Sequence, residues 1–487
     1  MTYLWTGSEW TFPLIDKVYK GIEEIAIDEM GLDPYPAQIE IITSEQMVDA
    51  YTSIGLPINY RHWSFGKHFA RQWDAYQRGM MGLAYEIVIN SNPCIAYLME
   101  ENTMTMQSLV IAHAGFGHSH VFKNNHMFRE WTDATSIIDY LIFARNYIHD
   151  CEVREGYTEV ETFLDSCHAL LSYGINRYKR PSKLSVAKEK ARQEQRDAYR
   201  QLQVNEVFDT LMKDDKTPDA KKRIPAQPEE NILYFCEKFA PDLPVWKREI
   251  IRIVRRISQY FYPQAHTKVL NEGAATYSHY RIMNRLHEKE LMTDGAMIEF
   301  LHSHTNVVSQ PKFDDKRYNG INPYALGFAM MCDIERICHK PTEEDRRWFS
   351  DWAGCGDEMS VLKEAWAEYR DESMIRQFLS PNVIRDLRLF QIKDDRKEPE
   401  YVVTAIHNDA GYRQIVETLA NSYERHAMVP QIEVEEMDPK ERSLKLIYRP
   451  YQKRVLANMD KMLKHVQNLW GNPKVSIYDD TGKCLTG

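Results

Sequence analysis

Two stretches of this chain hold residue types that can bind a metal ion. In 263–283, PQAHTKVLNEGAATYSHYRIM, His266, Glu272 and His279 sit within an apolar, helix-like pattern. Glu272 and His279 are seven positions apart, so on a regular helix they share a face about 10 Å apart along the axis. One ion reaches both only across a kink or with a longer reach from one side. Gly273 costs roughly 1 kcal/mol against alanine in a helix interior, which points to the close approach of another segment. A carboxylate embedded among small residues also needs a partner; the plain alternative is a buried helix with satisfied polar groups.

The second stretch, 103–127, TMTMQSLVIAHAGFGHSHVFKNNHM, gathers His113, His118, His120 and His126, four of the chain's seventeen histidines. A regular helix sets His113 and His118 about 140° apart, poor for one ion. The extra residue of a π-bulge brings them onto one face, and Gly115 and Gly117 tolerate that distortion. The spacing is not that of a common zinc site, and a glycine-rich helix end with incidental histidines is the plain alternative. A third group, His302-Ser303-His304, follows a helix expected over 293–302; in an extended segment at most one of the pair faces a shared site.

The elements around these stretches follow from periodicity. Residues 14–30 predict an amphipathic helix through Ile15, Val18, Ile22, Ile25 and Ala26, stopped at Gly31. A strand at 37–42 leads to a capping box, Thr43 with Gln46. Residues 60–78 are rich in aromatics and cations, and His62 and His68 there are expected to be stacked or superficial. Strands at 83–89 and 94–99, joined by Asn90-Ser91-Asn92-Pro93, make a hairpin. Helices are expected over 131–149, 157–178, 245–262 and, after the turn at Asn322-Pro323-Tyr324, to about Phe390, with Trp348, Trp352 and Trp366 as core anchors.

At 487 residues, 43% hydrophobic and 27% charged, the chain is expected to form more than one folded unit. The formal net charge of -10 argues against nucleic-acid binding through phosphate contacts. No apolar run approaches the ~20 residues of a membrane span. The N-terminal MTYLWTGSEWTF has neither a basic n-region nor an apolar h-region, so no secretory signal is expected. Eight cysteines without a CxxC read as free thiols in a reducing cytoplasm.

The predicted organisation is an α-rich part, 1–180, sharing one core with a helical part, 231–392, across a charged linker or insertion, 181–230. In the tail, 396–487, the predicted order is strand 401–406, helix 410–425, strands 430–436 and 442–448, helix 450–470 and strand 474–479. That βαββαβ order gives a ferredoxin-like α+β domain, a module suited to regulation, partner binding or dimerisation. The fold class is therefore mainly α with a short hairpin, plus this domain.

The chain resembles the stage V sporulation protein R family of bacteria. The match rests on Trp63-Ser64-Phe65-Gly66-Lys67, His113 to His118 with Phe122-Lys123-Asn124-Asn125, and 145–180 with Asp165-Ser166-Cys167-His168. It continues through Ser258 to Pro263, Asn271-Glu272-Gly273, Tyr277, His279, His304 and Asn322-Pro323-Tyr324. The resemblance implies a cytoplasmic protein linked to spore cortex formation or, outside spore formers, to a stress response. There it implies partnership with a serine kinase of the AAA+ type and a von Willebrand-type protein. A fainter likeness, of hairpin, two-histidine helix and later Asn-Glu-Gly-x-Ala helix, is to the skeleton of gluzincin metallopeptidases, a zincin-like core. It implies His113, His118 and Glu272 as zinc ligands, with His279 a fourth ligand or a partner behind one. Gluzincins carry a glutamate directly after the first histidine and this chain has Ala114, so the usual general base is missing; His279, His304 and Glu100 are the substitutes in reach of the argument. The catalytic set is then Glu272, His279 and His304.

Three functions follow as expectations. The first is a metal-dependent hydrolase of amide or peptide bonds, cell-wall related, with zinc as the ion and iron or manganese as alternatives. The second is a non-enzymatic regulator or scaffold with a structural metal, acting through the linker and the C-terminal module, which also suits homo-oligomer formation. The third is a binuclear oxidoreductase that uses the surplus His120, His266 and His304.

Overall fold

The apolar stripe Ile15, Val18 and Ile22 forms one buried face of helix α1, Phe12–Glu23, which Thr11 caps through Leu14 N–H. A π-helical turn, Glu24–Glu29, extends it, and Gly31 ends it at φ +64°, a conformation that favours glycine. These are elements of a computed structural model, which describes residues 3–53, 56, 58–77, 86–177, 224–225, 228–312, 315–389, 391–393, 402–404, 408–424, 430–450 and 458–486. The charged segment expected as a linker lies, apart from 224–225 and 228–230, outside the described residues.

The chain divides into two compact units, one of 1–162 with 259–428 and one of 163–258 with 429–487. The first opens with β1, Ala37–Ile42, and α2, Ser44–Thr52, whose capping box joins Thr43 and Gln46 as their spacing predicts. Helix α3, Trp63–Gln77, precedes the hairpin of β2, Glu86–Ile89, and β3, Cys94–Met99. These strands form one sheet in the order β1-β3-β2, with β1 parallel and β2 antiparallel to β3, so β2 is an edge.

A continuous helix, α4, then runs as Met104–Val110 in α form, Ile111–His118 as a π-helix and Ser119–Asn124 in α form again. Helix α5 is Ile137–Glu155. Helix α6, Val245–His266, crosses from the second unit into the first. It is followed by α7, Lys268–Glu288, α8, Asp294–Val307, and α9, Pro323–His339. The His302–His304 segment is thus helical rather than extended, because Thr293 caps a helix that continues past it; His304 is buried and His302 is exposed. Helix α7 is the axis of this unit, packed between α4 and α9, and its Val269, Leu270, Ala274, Tyr277, Ile282 and Met283 belong to one core. Of the three expected tryptophan anchors, Trp366 is fully buried and Trp348 and Trp352 are half-buried.

The expected ferredoxin-like domain is corrected here. Its first strand, as β5, Val402–Thr404, pairs antiparallel with β4, Gln391–Lys393, in a separate two-stranded sheet. Its first helix, Asp409–Tyr423, belongs to the first unit. There Arg376, on the helix Asp371–Phe378, holds Glu417, and Ile415, Val416 and Ala420 enter the first unit's core. A short strand took its nearest partner in sequence, and an amphipathic helix buried its stripe on the larger core. What remains in the second unit is a four-stranded sheet, β6 Gln431–Asp438, β7 Ser443–Arg449, β8 Val475–Asp479 and β9 Cys484–Thr486, in that order. The helix Met459–Trp470 makes the crossover between the parallel strands β7 and β8, and its Trp470 stacks on Phe235. The protein is mainly helical with this small C-terminal sheet.

Candidate metal centre

Helix α7 brings Glu272 to the π-turn of α4 because two pairs of small residues let three helices approach closely. A Cβ on Gly117 would lie 2.6 Å from Cα of Ala275, and one on Gly273 would lie 2.6 Å from Cα of Gly327 on α9. The glycine beside Glu272 therefore marks a helix crossing, as its cost in a helix predicts. The π-helix adds the residue that turns His113 and His118 to one side, with ring centroids 4.5 Å apart and rings nearly perpendicular.

The fourth group is Glu86, at the start of the edge strand β2. His113 Nε2 lies 3.4 Å from Glu86 Oε1 and 3.7 Å from Glu272 Oε2, and His118 Nε2 lies 3.5 Å from the same Glu272 oxygen. Ligand-type atoms of Glu86, His113 and His118 all fall within 4.8 Å of one another, the one such group of three among the described residues. These separations are long for hydrogen bonds, and Glu86 Oε2 and Glu272 Oε2 are buried without a hydrogen-bond partner. The imidazoles are buried, whereas each carboxylate side chain keeps 18% of its surface exposed, so the cluster has one open side.

The far nitrogens are held from behind. His118 Nδ1 meets Asn271 Oδ1 at 3.0 Å. The amide oxygen only accepts, so Nδ1 carries the proton and Nε2 offers its lone pair to the cluster. Two acceptors, His118 Nε2 and Glu272 Oε2, then face each other, an arrangement that a cation between them resolves. His113 Nδ1 meets His279 Nδ1 at 2.9 Å, and His279 Nε2 meets His304 Nδ1 at 2.9 Å. His279 thus stands behind a candidate ligand, one of its two expected places, with both ring nitrogens engaged. Tyr324 on α9 stacks near His113 and lies close enough to Glu272 to favour its ionised form.

The electrostatics separate these groups. Burial pushes the Glu86 carboxyl up to about 7, against the pull of His113 and with a push from Glu272. Burial resists ionisation of Glu272 as well, yet His113, His118 and Tyr324 outweigh it and hold that carboxyl below its usual range. His118 falls to about 4 through burial and the neighbouring His113, and His304 falls to about 4 through burial and then His113. His279 sits well below an ordinary histidine through burial, His113, His304 and His118. Of these four imidazoles only His113 is raised, because Glu86 and Glu272 overcome its burial.

The other residues singled out from the sequence lie elsewhere. His120 Nδ1 accepts the backbone N–H of Asp33, His126 faces the Ala367 carbonyl, and His266 packs against Tyr262. Glu100 is exposed at the end of β3. Sequence reasoning missed Glu86, although it left a signal: it is the one charged residue between Arg78 and Glu100.

Fold and site together define a helical protein with a buried two-histidine, two-carboxylate cluster between a sheet edge and three crossing helices. Residues 9–428 match the family model described as SpoVR like protein, and 430–475 match the SpoVR-like C-terminal domain, so the chain belongs to the SpoVR family. It is 55% identical over 474 residues to an Escherichia coli K12 protein called "Uncharacterized protein YcgB", covering 96% of this chain and 92% of that one. No solved structure matches it. No described helix is long and apolar enough to cross a membrane.

Proposed function

We propose that His113, His118 and Glu272 hold one divalent metal ion, zinc by donor type with iron or manganese as alternatives, with Glu86 beside it, and that the chain is a metal-dependent hydrolase of amide bonds. The observation that carries the reading is the convergence of two imidazole Nε2 atoms on one oxygen of Glu272, at 3.7 and 3.5 Å, that has no hydrogen-bond partner. Two imidazoles with oxygen ligands suit these ions. A divalent ion held there supplies Lewis acidity, polarising a carbonyl and making water a better nucleophile at neutral pH.

The chain's own residues do the rest. Asn271 and His279 fix the ring planes of His118 and His113, with His304 bracing His279. Tyr324 favours the ionised form of Glu272. The carboxylate lacking at Ala114 is replaced from another element: Glu86 Oε2 is the oxygen we assign to accept the proton of the attacking water. This keeps a zincin-like logic of hairpin, two-histidine helix and later glutamate while moving the base to the edge strand.

If Glu86 also ligates, four protein donors equal the number that closes a structural zinc site, and this is the second reading, a regulator or scaffold with a structural metal. In that reading the partners are those the family resemblance implies, a AAA+-type serine kinase and a von Willebrand-type protein. A cytoplasmic role in cortex formation or stress response fits either reading. The exposed fifth of each carboxylate favours the enzyme.

The test is metal content by inductively coupled plasma mass spectrometry on untagged protein, beside His113→Ala, Glu272→Ala and Glu86→Gln. About one equivalent in the wild type, lost in the first two with native circular dichroism, supports the site. No stoichiometric metal after reconstitution with zinc, iron and manganese sinks it. Amidase activity on cell-wall peptides that Glu86→Gln abolishes while keeping the metal separates enzyme from scaffold.

A further inference from the structure

A polar cavity of about 630 Å³ opens in the first unit between the end of α2, the segment leading into α3 and one face of α5. Its wall carries charges of both signs: Arg61 and Arg145 on one hand, Asp49 and Glu152 on the other. Arg145 and Glu152 are seven apart on α5 and so share one helix face. Among the described residues no ion pair or hydrogen bond engages the side chains of Arg61, Arg145 or Asp49, and Glu152 has only His149 at 3.6 Å. Opposite charges lining one cleft ordinarily pair with each other; here the space between them stays open.

Two hydrogen-bonding preferences are also unmet on this wall. Asn59 is 7% exposed; its Oδ1 accepts Tyr60 N–H at 2.9 Å, while its Nδ2 is buried without an acceptor. Glu152 Oε1 is buried without a donor. A buried donor and a buried acceptor, each without a partner, cost roughly 1–3 kcal/mol apiece unless something completes them. The cavity's volume is that of a small-molecule site.

We infer that this cavity binds a small zwitterion of the amino-acid or dipeptide class. The ligand's carboxylate meets Arg61, Arg145 and the Asn59 amide, and its ammonium meets Glu152 and Asp49. Arginine suits a carboxylate through its paired donors, and the carboxylates reject a ligand lacking the cation. The site draws on none of the metal-centre residues, so the two readings fail separately.

The test is isothermal titration calorimetry of the full chain with L-alanyl-L-alanine, with the same dipeptide acetylated and amidated at its ends, and with inorganic phosphate. Saturable binding of the free dipeptide alone is expected, weakened roughly tenfold or more by Arg145→Gln and by Asp49→Asn, both exposed positions. Glu272→Ala should bind the dipeptide as the wild type does. No saturable heat with the free dipeptide overturns the inference, as does equal binding of the blocked dipeptide. Phosphate binding as tightly as the dipeptide also overturns it, since the site would then read an oxyanion alone.

Discussion

Two buried polar clusters in the first unit are built from similar residue types and finished differently. Around Asp333 and Asp345 every charge is answered. Arg336 forks onto both oxygens of Asp345 at 2.7 and 2.9 Å and reaches Asp333 at 2.7 Å. Ser380 and Asn382 donate to Asp333, and Thr342 donates twice to Asp345. Around Glu86 and Glu272 the corresponding distances are 3.4–3.7 Å, and an oxygen of each carboxylate has no hydrogen-bond partner. A satisfied network secures helix ends, whereas an unsatisfied one keeps a cost that folding alone does not explain. The difference separates a stabilising cluster from the one we propose holds a metal ion.

The largest expected effect breaks the satisfied side. Arg336→Ala leaves two buried carboxylates without their cation and should cost about 3–5 kcal/mol, read as a loss of denaturation midpoint, with metal content unchanged. A loss near zero would mean that completeness of hydrogen bonding does not mark the stabilising cluster. The next effect sharpens the other side. Asn271→Ala frees the His118 ring and should weaken metal affinity about 10–100-fold in chelator competition, with native circular dichroism. Unchanged affinity would show that Asn271 does not set the ring.

The donor cluster was largely legible in the sequence because its signals are local. The five-residue histidine spacing called for a π-turn, and Gly273 called for a close neighbour; the structure supplies Ile111–His118 and Gly327. Glu86 escaped because it joins the site through strand pairing, which local periodicity does not encode. The same reason explains the tail. The elements near 402–404 and 409–423 were anticipated, but a strand's partner and a helix's core are long-range choices. Only the lone charge in an apolar run marked Glu86 beforehand.

Acid sets a smaller effect on the satisfied cluster. Burial opposes the Asp345 carboxylate, but Arg336 and Thr342 outweigh it and hold its pKa down to about 2. A folded pKa below the unfolded value near 4 gives stability that is full above about pH 4 and is lost as pH falls through 2. The contribution is about 2 kcal/mol. Asp345→Asn should flatten that part of the stability profile, and an unchanged profile would place the acid-sensitive charge elsewhere.

The smallest expected effect is the most telling. Glu272→Gln in metal-free protein should change stability by no more than about 1 kcal/mol, in contrast with Arg336→Ala, because the carboxylate oxygen it replaces makes no hydrogen bond in the folded state. Because the fold holds the Glu272 carboxyl below its usual range, removing its charge makes that small change a loss. With metal present the same variant should lose the ion's contribution to the melting temperature. A cost of several kcal/mol without metal would mean that Glu272 is already satisfied in the apo fold, and the two clusters would then be of one kind.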